Sequence, residues 1–397
     1  EFRRVLFRSK RSDTRIRTTH TGSLPRPADL VKLVREDQLN GNPESERILT
    51  NAVRDTVAMQ HAAGIDTVSD GEFGKESFMT YVHTRISGYE PVKPPTMKRP
   101  FANTRESIAF PEFYAANELP PPPPGAPIPA SRLARTCVSP LKYVGHKQLE
   151  RDIANLKAAM AASGADEGFM PSISPSCVED WFQNDHYRSG EEYLYAVAEA
   201  LREEYLGIVN AGLVLQIDDP HLASMMLWQL DWKVEDARKW ARVRCEALNH
   251  ALRGIPEDRV RHHTCHSVDA APRTTDMELR DVLDIVLSVK AGAYSFEGAN
   301  PRHEHEFVLW DEFKLPEGKS IIPGVITNSS FVVEHPELVA QRIVRYAERV
   351  GAENVIAGVD CGFGTFVSPV GYDMRIINAK FEALARGAEI ASKKLWK

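Results

Sequence analysis

The sequence predicts an α/β fold: a single (β/α)8 TIM barrel with a Pro-rich insertion loop. Three observations carry this. Short apolar runs alternate with longer amphipathic stretches, the rhythm of parallel strands joined by helices. The 397 residues are enough to bury a large core. The unusual polar residues cluster at the C-terminal ends of the apolar runs, where a barrel carries its functional groups.

Along the chain, Glu1-Phe2-Arg3-Arg4-Val5-Leu6-Phe7-Arg8-Ser9 has no continuous apolar core and does not read as a secretory signal. Residues 1–12 are set aside as a non-native or disordered N-terminal segment, and 13–397 are assigned to the barrel. Strands are expected near 16–22, 66–71, 135–141, 168–174, 213–219, 259–265, 293–298, 321–327 and 355–361. That is nine runs for eight places, and 135–141 fits least well. Helices are better marked. Ser189 with Glu192 reads as a capping box. Leu194, Val197, Leu201, Tyr205 and Ile208 follow at helical spacing, with Gly212 as a stop. Pro336 opens a second helix, with Val339, Ile343, Tyr346 and Val350 on one face and Gly351 after it. Leu149, Ile153, Leu156 and Met160 mark a third. The stretch 91–130 breaks the rhythm. Prolines at 120–124, 127 and 129 predict an extended, exposed loop there, a lid or a contact surface.

Composition narrows the function classes. Charged residues are 26% and the formal net charge is −6, with no basic block for nucleic acid and no polybasic patch for a membrane surface. No apolar run approaches the length that spans a bilayer. Five scattered cysteines fit a reducing, cytoplasmic setting, with ligand or free thiols rather than a disulfide frame.

The polar strand ends are Thr21-Gly22-Ser23, Asp70-Gly71-Glu72, Asp218-Asp219-Pro220, His263-Thr264-Cys265, Glu297 and Asp360-Cys361. Asp70, Asp218 and Asp219 are equally suited to capping the helices that follow. One histidine, two cysteines and a glutamate at three strand ends form a ligand set that zinc accepts. His263, Cys265, Glu297 and Cys361 are therefore candidate metal ligands, with His262, His266, His303 and His305 as alternative histidines. Dispersed ligands favour a catalytic site over a structural one, which uses closely spaced cysteine pairs.

Together, Thr19-His20-Thr21-Gly22-Ser23-Leu24-Pro25, Ser69-Asp70-Gly71-Glu72, Gln216-Ile217-Asp218-Asp219-Pro220, His263-Thr264-Cys265 and Asp360-Cys361-Gly362 resemble the cobalamin-independent methionine synthases. The resemblance is to their C-terminal catalytic barrel, runs from about 16 to 395, and is closest to single-barrel members. It implies a zinc-dependent methyltransferase of methionine biosynthesis, a transferase that moves a methyl group to the thiol of homocysteine. It implies metal binding by His263, Cys265, Glu297 and Cys361. It implies substrate binding by Thr21, Gly22, Ser23, Glu72 and Asp218, with Arg135 added to this set, and stacking of a folate on Trp181. Two carboxylates suit an ammonium, and backbone N–H groups suit a carboxylate.

The chain also departs from the family. Ser329 stands where a proton-donating histidine is expected, and Ser224 where a glutamate contacts the folate. A serine does not replace an imidazolium as an acid near neutral pH. The thiol half reads as intact and the donor half as altered. The donor is then a folate, a methyl-corrinoid protein or another methylated small molecule, with a sulfonium or corrinoid expected to outperform methyltetrahydrofolate. His20, His303 and His305 are the candidate substitutes for the missing acid. Two other readings stand beside this one: alkyl transfer to another thiol, as in epoxyalkane:coenzyme M transferases, and a zinc- or thiol-binding protein without turnover.

Overall fold

The computed structural model describes residues 9–36, 38–98, 102–117, 128, 132–266, 271–365 and 373–396. The strands formed there are β1 (Arg17–Thr18), β2 (Thr67–Val68), β3 (Ile86–Pro91), β4 (Arg135–Tyr143), β5 (Glu167–Ile173), β6 (Gln183–Asn184), β7 (Val214–Asp218), β8 (Val260–His263), β9 (Ala293–Phe296), β10 (Ser320–Ile326) and β11 (Ile356–Val359). Eight of them form one sheet in the order β1-β11-β10-β9-β8-β7-β5-β2. Each pairing in it is parallel. A parallel bridge between Thr19 and Thr67 joins β1 to β2 and closes the ring. Strands in such a sheet are covered on both faces, so β5, β7, β8, β10 and β11 are buried at every residue.

The helices follow from their apolar spacing. In Gly190–Asn210 the Ser189 side chain accepts a hydrogen bond from the Glu192 N–H, and Leu194, Val197, Leu201, Tyr205 and Ile208 are buried. Gly212 then turns the chain at φ +86°, a conformation that costs glycine least. Pro336–Val350 buries Val339, Ile343 and Tyr346, and His146–Ser163 buries Leu149 and Leu156.

The surplus ninth run is a real strand outside the barrel. β4 pairs antiparallel with β3 and carries β6, a three-stranded sheet of its own. Its second half alternates between covered and solvated residues, as an antiparallel strand with one wet face does. Arg85, just before β3, ties this sheet to the barrel helices. It reaches Asp152 at 2.5 Å and Glu204 at 3.1 Å, and all three side chains are buried.

The 91–130 stretch holds more structure than expected. Two short helices, Arg105–Ala109 and Pro111–Asn117, form where a loop is predicted, the first closed by a capping box at Thr104. The prolines at 120–124, 127 and 129 lie outside the described residues, as do residues 1–8. Among the described residues no helix is long and apolar enough to cross a membrane.

Candidate active site

Because the eight strands are parallel, their C-terminal ends meet at one mouth. A cavity of about 110 Å³ opens there. It is lined by Thr21, Ser23, Glu72, Asp218, His263, Cys265 and Cys361, and also by Phe78, Met79, Trp181, His221, Ser224 and Trp228. The first group is polar and sulfur-bearing; the second is largely aromatic.

The sulfur-bearing group contains the candidate metal donors. Ligand atoms of His263, Cys265 and Cys361 lie within 4.8 Å of one another, all buried. The two sulfurs are 3.4 Å apart. Cys361 is lowered to about 6, because the Cys265 thiol donates to its sulfur and His263 favours its charge against the cost of burial. The same pairing pushes Cys265 well above the usual thiol range. Burial alone would lower His263, but Asp218 and the Cys361 sulfur outweigh it and raise the ring to about 10.

These residues fit a zinc ion. His263 Nδ1 lies 3.0 Å from Asp218 Oδ1, while Nε2 is buried with no hydrogen bond. A carboxylate on one ring nitrogen, with the other left bare, is how proteins fix a ligating histidine. One imidazole and two thiols are zinc donors.

Glu297 stands one step back. Its Oε1 accepts from the His266 N–H at 2.8 Å and its Oε2 from Asn300 at 3.0 Å. Its charge is still felt at both sulfurs. Asp360, beside Cys361, fastens this region: its Oδ1 accepts from the N–H groups of Gly298 and Ala299, each at 2.8 Å.

Glu297 also falls in a second cluster, with His266 and His303. That cluster belongs to a dense polar network. The His266 and His303 rings stack with centroids 3.6 Å apart. His303 bridges Glu306 at 3.1 Å and Asp276 at 3.3 Å, and Arg273 and Arg302 both reach Asp276. Burial lowers His303, but Asp276 and Glu306 more than compensate and raise it to about 9. Carboxylates there are already matched by cations.

The part of the cavity around Glu72 is shaped by strain and close approach. Glu72 has φ +59°, the one non-glycine residue in the left-handed region among the described residues. Asp70 Oδ1 holds its N–H at 2.9 Å. A Cβ on Gly22 would meet Pro171 Cγ at 2.6 Å and Glu72 Oε1 at 3.1 Å, so only glycine lets that carboxylate lie against the turn. Glu72 Oε2 is buried without a partner. Burial raises Glu72 to about 7; Lys75 pulls it down in part, and Asp218 pushes it up.

Several expected site residues sit elsewhere. Arg135 lies on β4 beside Pro91, donates to Leu133 O at 3.2 Å, and is not among the cavity-lining side chains. His20, offered as a substitute acid, is corrected to a positioning role. Its Nε2 is 2.8 Å from Gln60 and its Nδ1 accepts from the Gly22 N–H at 3.2 Å, which holds the 21–23 turn. Burial lowers it to about 3. His303 is committed to its carboxylates, and His305 is exposed. Ser329 bonds Thr327 at 2.9 Å, and neither His303, His305 nor Ser329 lines the cavity. Asp219 is structural: its Oδ1 accepts from Ser174 at 2.9 Å and Ser176 at 2.5 Å, and its Oδ2 faces His262.

Sequence reading missed His221 and Trp228 as cavity residues, and named His266 only as an alternative metal ligand. His221 follows the Asp218-Asp219-Pro220 strand end and so carried a signal. Trp228 comes from a short helical segment whose placement no periodicity reveals.

Several known proteins are similar to this chain. A methionine synthase of Thermococcus kodakarensis is 24% identical over 95% of this chain and 94% of its own length. One from Saccharolobus solfataricus is 22% identical over 95% of each. The 5-methyltetrahydropteroyltriglutamate–homocysteine methyltransferase of Vibrio vulnificus is 21% identical over 88% of this chain, which matches 39% of that longer protein. The solved B12-independent methionine synthase of Shewanella sp. W3-18-1, in complex with selenomethionine, shares the fold, with a TM-score of 0.70 and 20% identity over 96% of this chain and 99% of that one. Residues 149–370, more than half of the chain, match the family described as the catalytic domain of cobalamin-independent synthase, and the chain belongs to that family.

Proposed function

We propose that this chain is a zinc-dependent S-methyltransferase whose acceptor is homocysteine. The carrying observation is one cavity that holds the His263, Cys265 and Cys361 donor atoms together with an unpartnered buried Glu72 carboxylate oxygen. His263, Cys265 and Cys361 would hold the zinc, with Glu297 as the fourth ligand once its side chain turns from Asn300. A zinc ion there lowers the pKa of an incoming thiol and presents its sulfur as a nucleophile.

The chain's own residues place the acceptor. Glu72 takes its ammonium, and Thr21 and Ser23 stand at the strand end where its carboxylate would lie. Asp218 faces the same space but also grips His263, so it serves both metal and substrate. The aromatic lining, with Trp181 and Trp228, offers flat apolar surface for the methyl donor. Trp181 is itself braced by Lys98, whose ammonium lies 4.6 Å from the ring centroid. The Vibrio relative's name includes a pteroyltriglutamate donor, and the family is described as cobalamin-independent, so a folate-type donor is better supported than a methyl-corrinoid.

A sulfonate thiol such as coenzyme M has no ammonium for Glu72, which disfavours that alternative. The test is methionine formation from homocysteine and methyltetrahydropteroylglutamate by zinc-loaded protein. Loss of activity on chelation and recovery with zinc support the reading; homocysteine left unconsumed with every donor overturns it.

A further inference from the structure

We propose that His221 is the residue that protonates the leaving group of the methyl donor. The inference rests on the methyltransferase reading and extends it to the donor half, where Ser329 leaves the family's acid unfilled.

The observations are geometric. His221 opens the short helix His221–Ser224, directly after the β7 strand end that carries Asp218. It is buried and lines the same cavity as Cys265 and Cys361. Its ring centroid lies 5.3 Å from that of Trp228, which also lines the cavity. Its Nδ1 has no hydrogen bond but lies 3.5 Å from Asp180 Oδ2, an ion-pair distance for a protonated ring. Asp180 belongs to the helix Pro175–Trp181, which also presents Trp181 to the cavity. The carboxylate and the aromatic wall are therefore set by one element. With Nδ1 turned to Asp180, Nε2 is the nitrogen left for a bound molecule.

Of the other cavity histidines, His263 belongs to the candidate metal donors, and His266 does not fit this task. Its Nε2 is 2.8 Å from Met277 O, so its proton is committed there, and its bare Nδ1 has none to give. The groups that face His221 are Asp180, Trp228 and the Cys177 thiol, which meets the His221 backbone N–H.

The step balances as follows. The acceptor sulfur forms the new S–C bond as the donor's N–C bond breaks. The electron pair of that bond stays on the nitrogen, which takes the proton from His221 Nε2. His221 is then reprotonated from solvent, which received the proton lost by the acceptor thiol. The donor class this selects is a methyl on the nitrogen of a flat, ring-bearing amine. A sulfonium donor leaves as a neutral sulfide and needs no proton.

The test compares unmodified protein with His221→Gln and His221→Asn, using homocysteine and either 5-methyltetrahydropteroylglutamate or S-methylmethionine. The expected result is a loss of about 10²-fold or more in kcat with the N-methyl donor. Its KM should stay within about threefold, and turnover of the sulfonium, where present, should fall far less than turnover of the N-methyl donor. Asp180→Asn, a positioning change, should lower kcat less, again at constant KM. Thermal unfolding midpoints check that the variants fold. Equal losses with both donors, or a kcat that holds, overturn the proposal. So does an unmodified enzyme that uses only the sulfonium, which leaves the methyltransferase reading standing. An unmodified enzyme that uses neither donor overturns that reading and this one together.

Discussion

Asp218 and Glu72 both line the cavity, yet their surroundings separate their roles. Asp218 Oδ1 is bonded to His263 Nδ1 at 3.0 Å and to Gln216 at 2.6 Å, whereas Glu72 keeps one oxygen bare. Asp218→Asn should therefore weaken zinc binding by roughly 10–100-fold, the usual effect of losing such a support. Competition with a chromogenic chelator measures it, and an unchanged zinc affinity refutes the role. Glu72→Gln should leave zinc in place and weaken homocysteine by roughly 1.5–3 kcal/mol. A thiol without an amine should barely respond to that change. The pH dependence follows from the raised Glu72. With its carboxyl near 7, the charged form that an ammonium needs is depleted as pH falls through that value. Homocysteine affinity should drop on the acid side of about pH 7, and Glu72→Gln should lose that limb; calorimetric titration across pH reads both.

Between elements, the decisive contact is Arg85 with Asp152 and Glu204, which joins the β3–β4 sheet to two barrel helices. Burial alone would raise Glu204, but Arg85, Lys75 and bonds from Tyr81 and Ser172 hold it at about 2, below its ordinary 4.5. A depressed carboxyl stabilises the fold fully above its unfolded value and loses that contribution as pH falls from about 4.5 toward 2. Arg85→Met would leave buried Glu204 without its paired cation and Asp152 with Arg151 alone. It should cost about 3–5 kcal/mol at neutral pH and flatten the acid limb of stability. Denaturant unfolding at several pH values decides this; a variant as stable as the parent would show that the sheet is held by packing alone. Sequence reading found the β4 run, and counted it as one too many for the barrel. Its pairing with β3 depends on backbone hydrogen bonds more than forty residues apart, which no local pattern carries.

Across the whole molecule, the barrel's apolar interior is formed by strands and helices that do not require the metal. Leu215, Ile217, Ile321, Val325, Ala357 and Val359 are buried within the sheet itself. Cys265→Ser and Cys361→Ser should each lose zinc and keep a cooperative fold, because a structure this size does not rest on one ion as a small zinc domain does. Elemental analysis beside circular dichroism tests this. Full zinc occupancy in both variants, or unfolded chains, would contradict it.

The alternation of apolar runs and amphipathic helices was enough to read the barrel, because burial on both faces forces a local signature on parallel strands. His263, Cys265, Glu297 and Cys361 could be singled out as candidates because strand ends can be located in sequence and their residue types are rare there. The structure decided what depends on direction and distance. It gathered His263, Cys265 and Cys361 and held Glu297 back on Asn300. It turned His20 into the support of a turn, sent Arg135 to a separate sheet, and brought His221 to the cavity wall. Whether a polar side chain faces the mouth or a neighbouring carboxylate is settled by the register of strands far apart in sequence. That information resides in tertiary contacts, and no stretch of the chain contains it alone.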